Sequence, residues 1–414
     1  MLSKQSSLYK NLFFNNSNQV GWWQWYCCQP ILSFNVMTRI DLKKVSILLI
    51  AIVLVLACSK NDDPQNTTPD LNKDRAAILT NLADNVIVPS YTNFKTKLDV
   101  MSTKSQAFIA KPETATLAEF RQAWVDAYIS WETVEGFDFG PGTKTGIRNY
   151  YNIYPTNVAG IATYINNPSE NFEVTAAYDK QGFPALDYLL NGTGSTDAEI
   201  VAYFKSSTDG AKRLAYIKRI VDHMNELITK VISDWGTYRA EFIKKTGTDI
   251  GSPMGEMING YILHYERFIR SGKFGIPSGA MLNGVVSADK VEGLYKKDIS
   301  KALALSAHQA AVDFFNGKNV KTGVEGPSFK TYLDGLVAKD VTTGKLLSEI
   351  INTQFVANKA KIDVLKPDFH QEVLDNNAAM KAVYTELQKA VRMLKVDMTS
   401  AMSITITYTD NDGD

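Results

Sequence analysis

The chain is expected to be all-α: two helical-bundle domains of up-and-down type, with glycine-rich interdomain loops. Three observations predict this. Apolar residues recur every three or four positions almost throughout, the spacing of helices that bury one face. Capping and stopping residues fall where these runs begin and end. Only Ser403 to Tyr408 alternates like a strand, and no repeat of a solenoid period is visible.

The front of the chain reads as an export and anchoring segment. Residues 1–36, with Trp22, Trp23, Trp25 and Tyr26, fit no signal-peptide plan and are expected to be a mis-called start upstream of Met37. In residues 37–57, Arg39, Lys43 and Lys44 precede a run, Val45 to Ala57, that is apolar apart from Ser46. Such a run is too short to span a bilayer and has the length of a signal-peptide core. It ends in Val55-Leu56-Ala57-Cys58, which resembles the bacterial lipobox. That resemblance implies a lipoprotein signal peptide, a diacylglycerol on the Cys58 thiol and an acyl chain on the new amine; two or more chains give stable anchoring where one is marginal. Residues 58–72 carry two prolines and no apolar periodicity, so they read as a flexible tether. Lys60 with Asp62 and Asp63 resembles the tag that sends Bacteroidetes lipoproteins to the cell surface, or belongs to an ordinary solvated linker. The expected location is the outer membrane, facing periplasm or cell surface.

The body follows as a series of helices. Asp74 to about Ala110 predicts a long helix bent or split near Pro89, because proline lacks the amide a helix interior needs. Thr116 to Gly136 is the clearest: Thr116 and Glu119 have capping-box spacing, Phe120, Trp124, Ala127, Trp131 and Val134 form one face, and Gly136 can stop it. Residues 137–156 are a glycine-rich, aromatic loop. Short helices are expected to start at Pro155 and Pro184, since proline is tolerated in a first turn, and another near Asp197–Ser206. Lys212–Lys245 predicts one long helix, and Ser252-Pro253 the cap and first turn of another reaching Arg270. Gly272 to Gly284 reads as a second glycine-rich loop. Helices over Ser287–Phe315, Pro327–Ala338, Val341–Leu365 and Phe369–Ala401 complete the chain. A boundary near residue 210 would give bundles at 73–210 and 211–414.

Composition narrows the chemistry. Basic and acidic residues balance at 44 each, so no basic field exists for nucleic acid. Cys27 and Cys28 precede the expected cut, and Cys58 is the lipid site. The mature chain would have no disulfide, no thiolate nucleophile and no cysteine metal ligand. Any metal would need carboxylates, tyrosines or the four histidines, His223, His264, His308 and His370.

One segment stands out: Gly182-Phe183-Pro184-Ala185-Leu186-Asp187-Tyr188-Leu189-Leu190. A glycine and a proline lead into a helix, and one turn in, Asp187 sits among apolar residues. If buried, its carboxylate must be paired, protonated or bound to a cation; the alternative is an aspartate answering free backbone donors in the first turn.

The stretch resembles the central motif of the imelysin-like family of exported bacterial proteins, Gly-x-His-x-x-Glu followed by an aromatic and two leucines. Gly182 matches, Pro184 stands where the family has histidine, and Asp187 where it has glutamate. Trp124, Trp131, Glu135, Phe137, Phe139 and Gly140 resemble the family's tryptophan-rich helix and following loop. Tyr154-Pro155 resembles its aromatic-proline approach to the next helix, and the C-terminal region resembles Bacteroidetes members. The resemblance implies two helical bundles with a site between them at this motif, and an association with iron uptake. It also implies, less firmly, a metallopeptidase. In this chain it points to Asp187 and Glu135 as metal ligands, iron being the possible cofactor, with Gly182, Pro184 and Tyr188 completing the motif. Outer-membrane uptake components would be partners.

Three readings stay open: a binding component of iron or haem uptake, a metallopeptidase, and a metal-free scaffold for a partner protein. His223 and Glu226 have ligand spacing but sit among Lys218, Asp222 and Asn225, which suggests a solvated face. Asp410–Asp414 begins like a calcium loop but lacks the distant glutamate. Gly272-Lys273-Phe274-Gly275 lacks phosphate-loop spacing.

Overall fold

The structure, a computed structural model, describes residues 71–409. The expected start at Met37, signal peptide, lipidated Cys58, most of the tether and the acidic tail lie outside the described residues. The helices are α1 (Leu71–Asn81), α2 (Val88–Ala110), α3 (Thr114–Trp131), α4 (Pro141–Thr145), α5 (Ile147–Tyr151), α6 (Val158–Asn166), α7 (Gly182–Asn191) and α8 (Asp197–Lys205). They continue with α9 (Gly210–Phe242), α10 (Pro253–Leu263), α11 (Ser300–Asn316), α12 (Phe329–Gly335), α13 (Leu347–Asp363), α14 (Phe369–Arg392) and α15 (Thr399–Met402). The all-α class holds; among the described residues there are two isolated bridges and no strand. No helix among them is long and apolar enough to cross a membrane.

The described residues, 71–409, fall within one compact unit. The helix beginning at the expected boundary, α9, lies along α2, and α2 pairs with α3. In the second half α14 packs on α13 and on the wide-turn helix that follows α10. The tryptophan-rich face of α3 is fully buried: Phe120, Trp124, Ala127 and Trp131 meet an aromatic shelf. Tyr128 stacks on Phe183 with centroids 4.5 Å apart, and Trp131 on Tyr151 at 4.7 Å. Such pairs add to the area they bury.

Helix ends follow local chemistry. The break near Pro89 is a π-helical turn, Leu82–Ile87. Pro89 offers no amide to the carbonyl four residues back, and that Asn85 oxygen accepts instead from Val320 N at 2.9 Å. α3 starts two residues before the expected position, with Thr116 Oγ1 accepting from Glu113 N at 3.1 Å; Glu119 instead pairs with Lys104. The helix expected at Pro155 starts at Val158, where the Asn157 side chain accepts from Gly160 N. Ser252 caps α10 as expected, its hydroxyl accepting from Gly255 N. α13 starts later than expected, at Leu347, because residues 339–346 close a bridged turn.

Two differences matter for the site. Helix α10 does not end before Gly272; it continues as a π-helix, His264–Gly275. And Ser287–Phe315 is not one helix: a short 3-10 turn and a loop precede α11 at Ser300. Ser403 to Tyr408 is not a strand. With no strand beside it, its backbone pairs with a side chain: Asn259 Nδ2 donates to Thr405 O and Asn259 Oδ1 accepts from Thr407 N.

A second buried polar chain braces the C-terminal half. Asn358 Nδ2 donates to Tyr265 Oη at 2.9 Å, whose hydroxyl faces His308 Nδ1 at 3.1 Å; His308 Nε2 donates to Phe355 O at 3.0 Å. Burial pulls the imidazole down to about 4. A histidine kept neutral when folded but free to charge when unfolded contributes stability that is present above its unfolded pKa and lost as pH falls toward the folded one. Between pH 6.5 and 4 this group should therefore lower stability by about 3 kcal/mol. Urea midpoints of wild type and His308→Gln across that range should diverge accordingly, the variant losing less toward acid.

Candidate functional site

The site is built where α3 ends. After Trp131 the chain tightens into successive turns, with Val134 N donating to Trp131 O and Phe137 N to Val134 O. These turns face Glu132 and Glu135 inward, at 1% and 3% exposure. Glu135 is held on both oxygens. Oε1 accepts from Asn152 Nδ2 at 2.9 Å and weakly from Trp131 Nε1 at 3.4 Å; Oε2 faces His264 Nε2 at 3.1 Å. Burial would raise this carboxyl, but the His264 bond and charge, then Lys273 and Asn152, outweigh it and bring it down to about 2.

Asn152, at the end of α5, links the next layer. Its Nδ2 donates to Glu292 Oε1 at 2.7 Å, and its Oδ1 lies 2.5 Å from the Tyr128 hydroxyl, which is 3.1 Å from Glu292 Oε1. Glu292 also pairs with Lys273, whose ammonium lies 2.9 Å from Glu132 Oε2. Lys273, Glu132 and Glu292 are each at most 2% exposed. Burial opposes the ammonium, yet Glu132 and Glu292 push its pKa well above the ordinary lysine value. Burial, then the Glu292 charge, pushes the Glu132 carboxyl well above the ordinary range. Neither Glu132 oxygen has an aligned hydrogen-bond partner: the Lys273 contact is close enough for an ion contact but misdirected for a hydrogen bond. A cavity of about 20 Å³ adjoins Glu132, Gly136 and His264, room for about one water.

The motif residues serve a neighbouring task. Gly182 opens α7 at φ +74°, and a Cβ there would lie 2.3 Å from Tyr151 O and 2.6 Å from Tyr150 O. Only glycine permits that approach. Pro184 is buried in the first turn, where its missing amide costs nothing. Asp187 is 2% exposed. Its Oδ1 accepts from Lys296 N at 2.9 Å and Asn191 Nδ2 at 3.0 Å, and its Oδ2 from Tyr295 N at 2.9 Å. Burial pushes this carboxyl up to about 7 against those bonds. The loop it grips also carries Glu292, so the motif aspartate positions the site through the backbone. This grip explains why Ser287–Phe315 is not one helix: the Tyr295 and Lys296 amides are spent on Asp187, and Gly293 and Lys297 take left-handed φ of 70°. Tyr188 turns to the rim, half-buried against Tyr295 at 5.3 Å.

Asp187 and Glu135, the expected ligand pair, share no partner in this arrangement. Asp187 answers backbone donors, as the alternative reading had it, though they come from a distant loop. The donor set does not fit a metal at this pair. Every oxygen of both carboxylates is already bonded by protein groups, and proline has replaced the motif histidine. Among the described residues no three His, Cys, Asp or Glu side chains are grouped to hold an ion. Nor is His223 on a solvated face: it is buried between Gln181 Oε1 at 2.8 Å and Glu173 Oε1 at 2.7 Å, bracing the residue before Gly182.

Sequence reasoning missed Glu132, Lys273 and Glu292 as site residues, and gave His264 only as one of four histidines. Glu132 and Glu135 are three apart beside Trp131, a helical spacing that could have paired them. Lys273 looked like loop because Gly272 and Gly275 flank it, and the π-helix hides it. Glu292 gave no local signal.

Beside this centre the chain leaves an open cleft of about 900 Å³ between the Asp138–Lys144 turn and residues of α9 and α10, among them Phe139, Tyr238, Lys144, Lys245, Glu241 and Glu256. Asp138 ties its near wall to Arg148 at 2.7 Å, and Arg148 lies over the Phe268 ring. Burial, then Glu256, pushes the Tyr238 phenol up to about 12.

Known proteins share this architecture. The structure of an imelysin-like protein from Psychrobacter arcticum 273-4 matches with a TM-score of 0.62 at 17% identity, over 81% of this chain and 98% of that one. A protein from Parabacteroides distasonis ATCC 8503, assigned as an iron-regulated protein A precursor, matches with a TM-score of 0.66 at 16% identity, over 81% and 96%. At these identities the likeness concerns the fold. In sequence, iron-regulated protein A of Synechococcus elongatus (strain ATCC 33912 / PCC 7942 / FACHB-805) is 31% identical over 119 residues, 28% of this chain. The match spans only about a third of that relative, 32% of its length. The Imelysin family model (Peptidase M75) matches residues 87–398, from the start of the helix that backs Trp131 to the end of the last π-turn. By that match, and with the motif glycine, tryptophan helix and buried glutamate in their expected order, the chain belongs to the imelysin family.

Proposed function

We propose that this chain is a tethered binding component associated with iron uptake, and that it takes an iron complex or haem in the open cleft rather than a bare ion at its motif. The observation that carries this reading is the contrast between two neighbouring places. At the motif, each carboxylate oxygen of Asp187 and Glu135 is engaged by the protein itself. The cleft is about 900 Å³, within the size range of small-molecule sites, and mixes aromatic walls with both signs of charge. The iron-regulated relatives support the physiological setting. Lipidation at Cys58 would hold the protein at the outer membrane within reach of uptake components, as a Bacteroidetes-type lipoprotein with a variant motif. The same contrast speaks against a metallopeptidase, which needs an ion-bound water and a base beside it.

Titration calorimetry of the mature chain with ferric citrate and with haem tests this. Binding of either, weakened about tenfold or more by Tyr238→Ala and unchanged by Asp187→Asn, is the expected result. Absence of binding to both, or binding lost in Asp187→Asn alone, overturns it.

A further inference from the structure

We propose that Lys273 is the resident cation of a buried oxygen site formed by Glu132 and Glu292, and that the site accepts a free divalent ion once the ammonium is removed. This builds on the reading that no ion is held at the motif, but concerns a different place and can fail separately.

Two features make this more than a cluster of acids. The first is position. The Lys273 ammonium stands between two carboxylates that are themselves buried, 2.9 Å from Glu132 Oε2 and paired with Glu292. The Tyr128 hydroxyl adds a third oxygen beside Glu292, while Asn152 Nδ2 donates to Glu292 Oε1 from the other side and holds it in place. The two carboxyl groups and the hydroxyl are oxygen donors, which suit a hard cation. The second is Glu132. It is fully buried, faces the ammonium, and keeps both oxygens without an aligned hydrogen-bond partner. A buried polar group left so asks what would satisfy it.

Charge balance supplies the answer. With lysine in place, one ammonium stands between two buried carboxyl groups, and two full negative charges there would leave one uncompensated. A divalent ion at the ammonium position would be balanced by Glu292 and an ionised Glu132 together. It would leave no orphaned oxygen on Glu132. Glu135 takes no part, being held by His264 and Asn152. The lysine thus does in this chain what a bound ion could do, while its covalent stem prevents release. The π-helical register of His264–Gly275 makes this possible by turning Lys273 inward.

The test uses Mn²⁺ as probe and electron paramagnetic resonance to count the free ion, on the mature chain as wild type, Lys273→Ala and Lys273→Ala/Glu132→Gln. The expected result is uptake of one Mn²⁺ per chain by Lys273→Ala beyond any taken up by wild type, a thermal midpoint that rises with Mn²⁺ only in that variant, and affinity at least about tenfold weaker in the double variant. Should Lys273→Ala fold only when Mn²⁺ is present, that also supports the proposal. Three outcomes overturn it: folded Lys273→Ala taking up no more Mn²⁺ than wild type, equal uptake by the double variant, or failure of Lys273→Ala to fold even with Mn²⁺. Iron or haem binding by wild type is read in the cleft experiment and is independent of this result.

Discussion

Glu135→Ala is expected to cost about 3–5 kcal/mol of stability, the range for removing one partner of a buried ion pair. The loss has three parts. His264 would keep a buried donor facing empty space, Asn152 would lose one of its two acceptors, and Trp131 Nε1 its only carboxylate. The missing side chain would also leave a hole beside the cavity of about 20 Å³. Glu135→Gln should cost less, since its amide oxygen can still face one donor. Urea denaturation of the two variants against wild type checks the order. A loss below about 1 kcal/mol for Glu135→Ala, the scale of an exposed ion pair, would mean that the glutamate is not the keystone of the centre.

Asp187→Ala is expected to act on a loop far away in sequence. The Tyr295 and Lys296 amides would lose their acceptor, and two unsatisfied donors cost about 1–3 kcal/mol each where they stay buried. The loop will turn them to water instead, so the larger effect should be local opening: faster amide exchange over residues 292–298, by roughly a hundredfold. α7 itself should keep its protection, because its aromatic packing through Phe183 is untouched. Hydrogen exchange read by mass spectrometry separates these segments. Unchanged exchange at residues 292–298 would show that the aspartate does not grip this loop.

How far the sequence was legible varied with the range of the forces involved. Helices with a strong apolar face, such as Lys212–Lys245 and Thr116 onward, were readable because their periodicity and caps are local. The split at Pro89 was readable because proline removes a specific donor. The start of α6 was not, since Asn157 competes with Pro155 as the opening residue and wins by accepting from Gly160 N. The two failures at the site share a cause. Residues 287–299 have helical periodicity, but Asp187, over a hundred positions earlier, takes their amides. Residues 272–275 have loop composition, but packing against α14 carries the helix on as a π-helix. Neither partner is visible in a local window. Glu135 and Asp187, named together in the sequence as a ligand pair, are both buried. What the sequence did not show is that they answer to different partners, one to a histidine and an asparagine, the other to a backbone loop.

If the variant motif clamps a loop through Asp187 and needs no ion, removing Asp187 leaves metal content unchanged. Metal content by mass spectrometry tests this most directly, on protein from residue 59 onward purified without chelator and on Asp187→Ala prepared alongside. The expected result is that the two proteins carry the same metal content, whether that is none or iron retained elsewhere. Stoichiometric iron or zinc in wild type that disappears in folded Asp187→Ala would contradict the claim and return the ion to the motif.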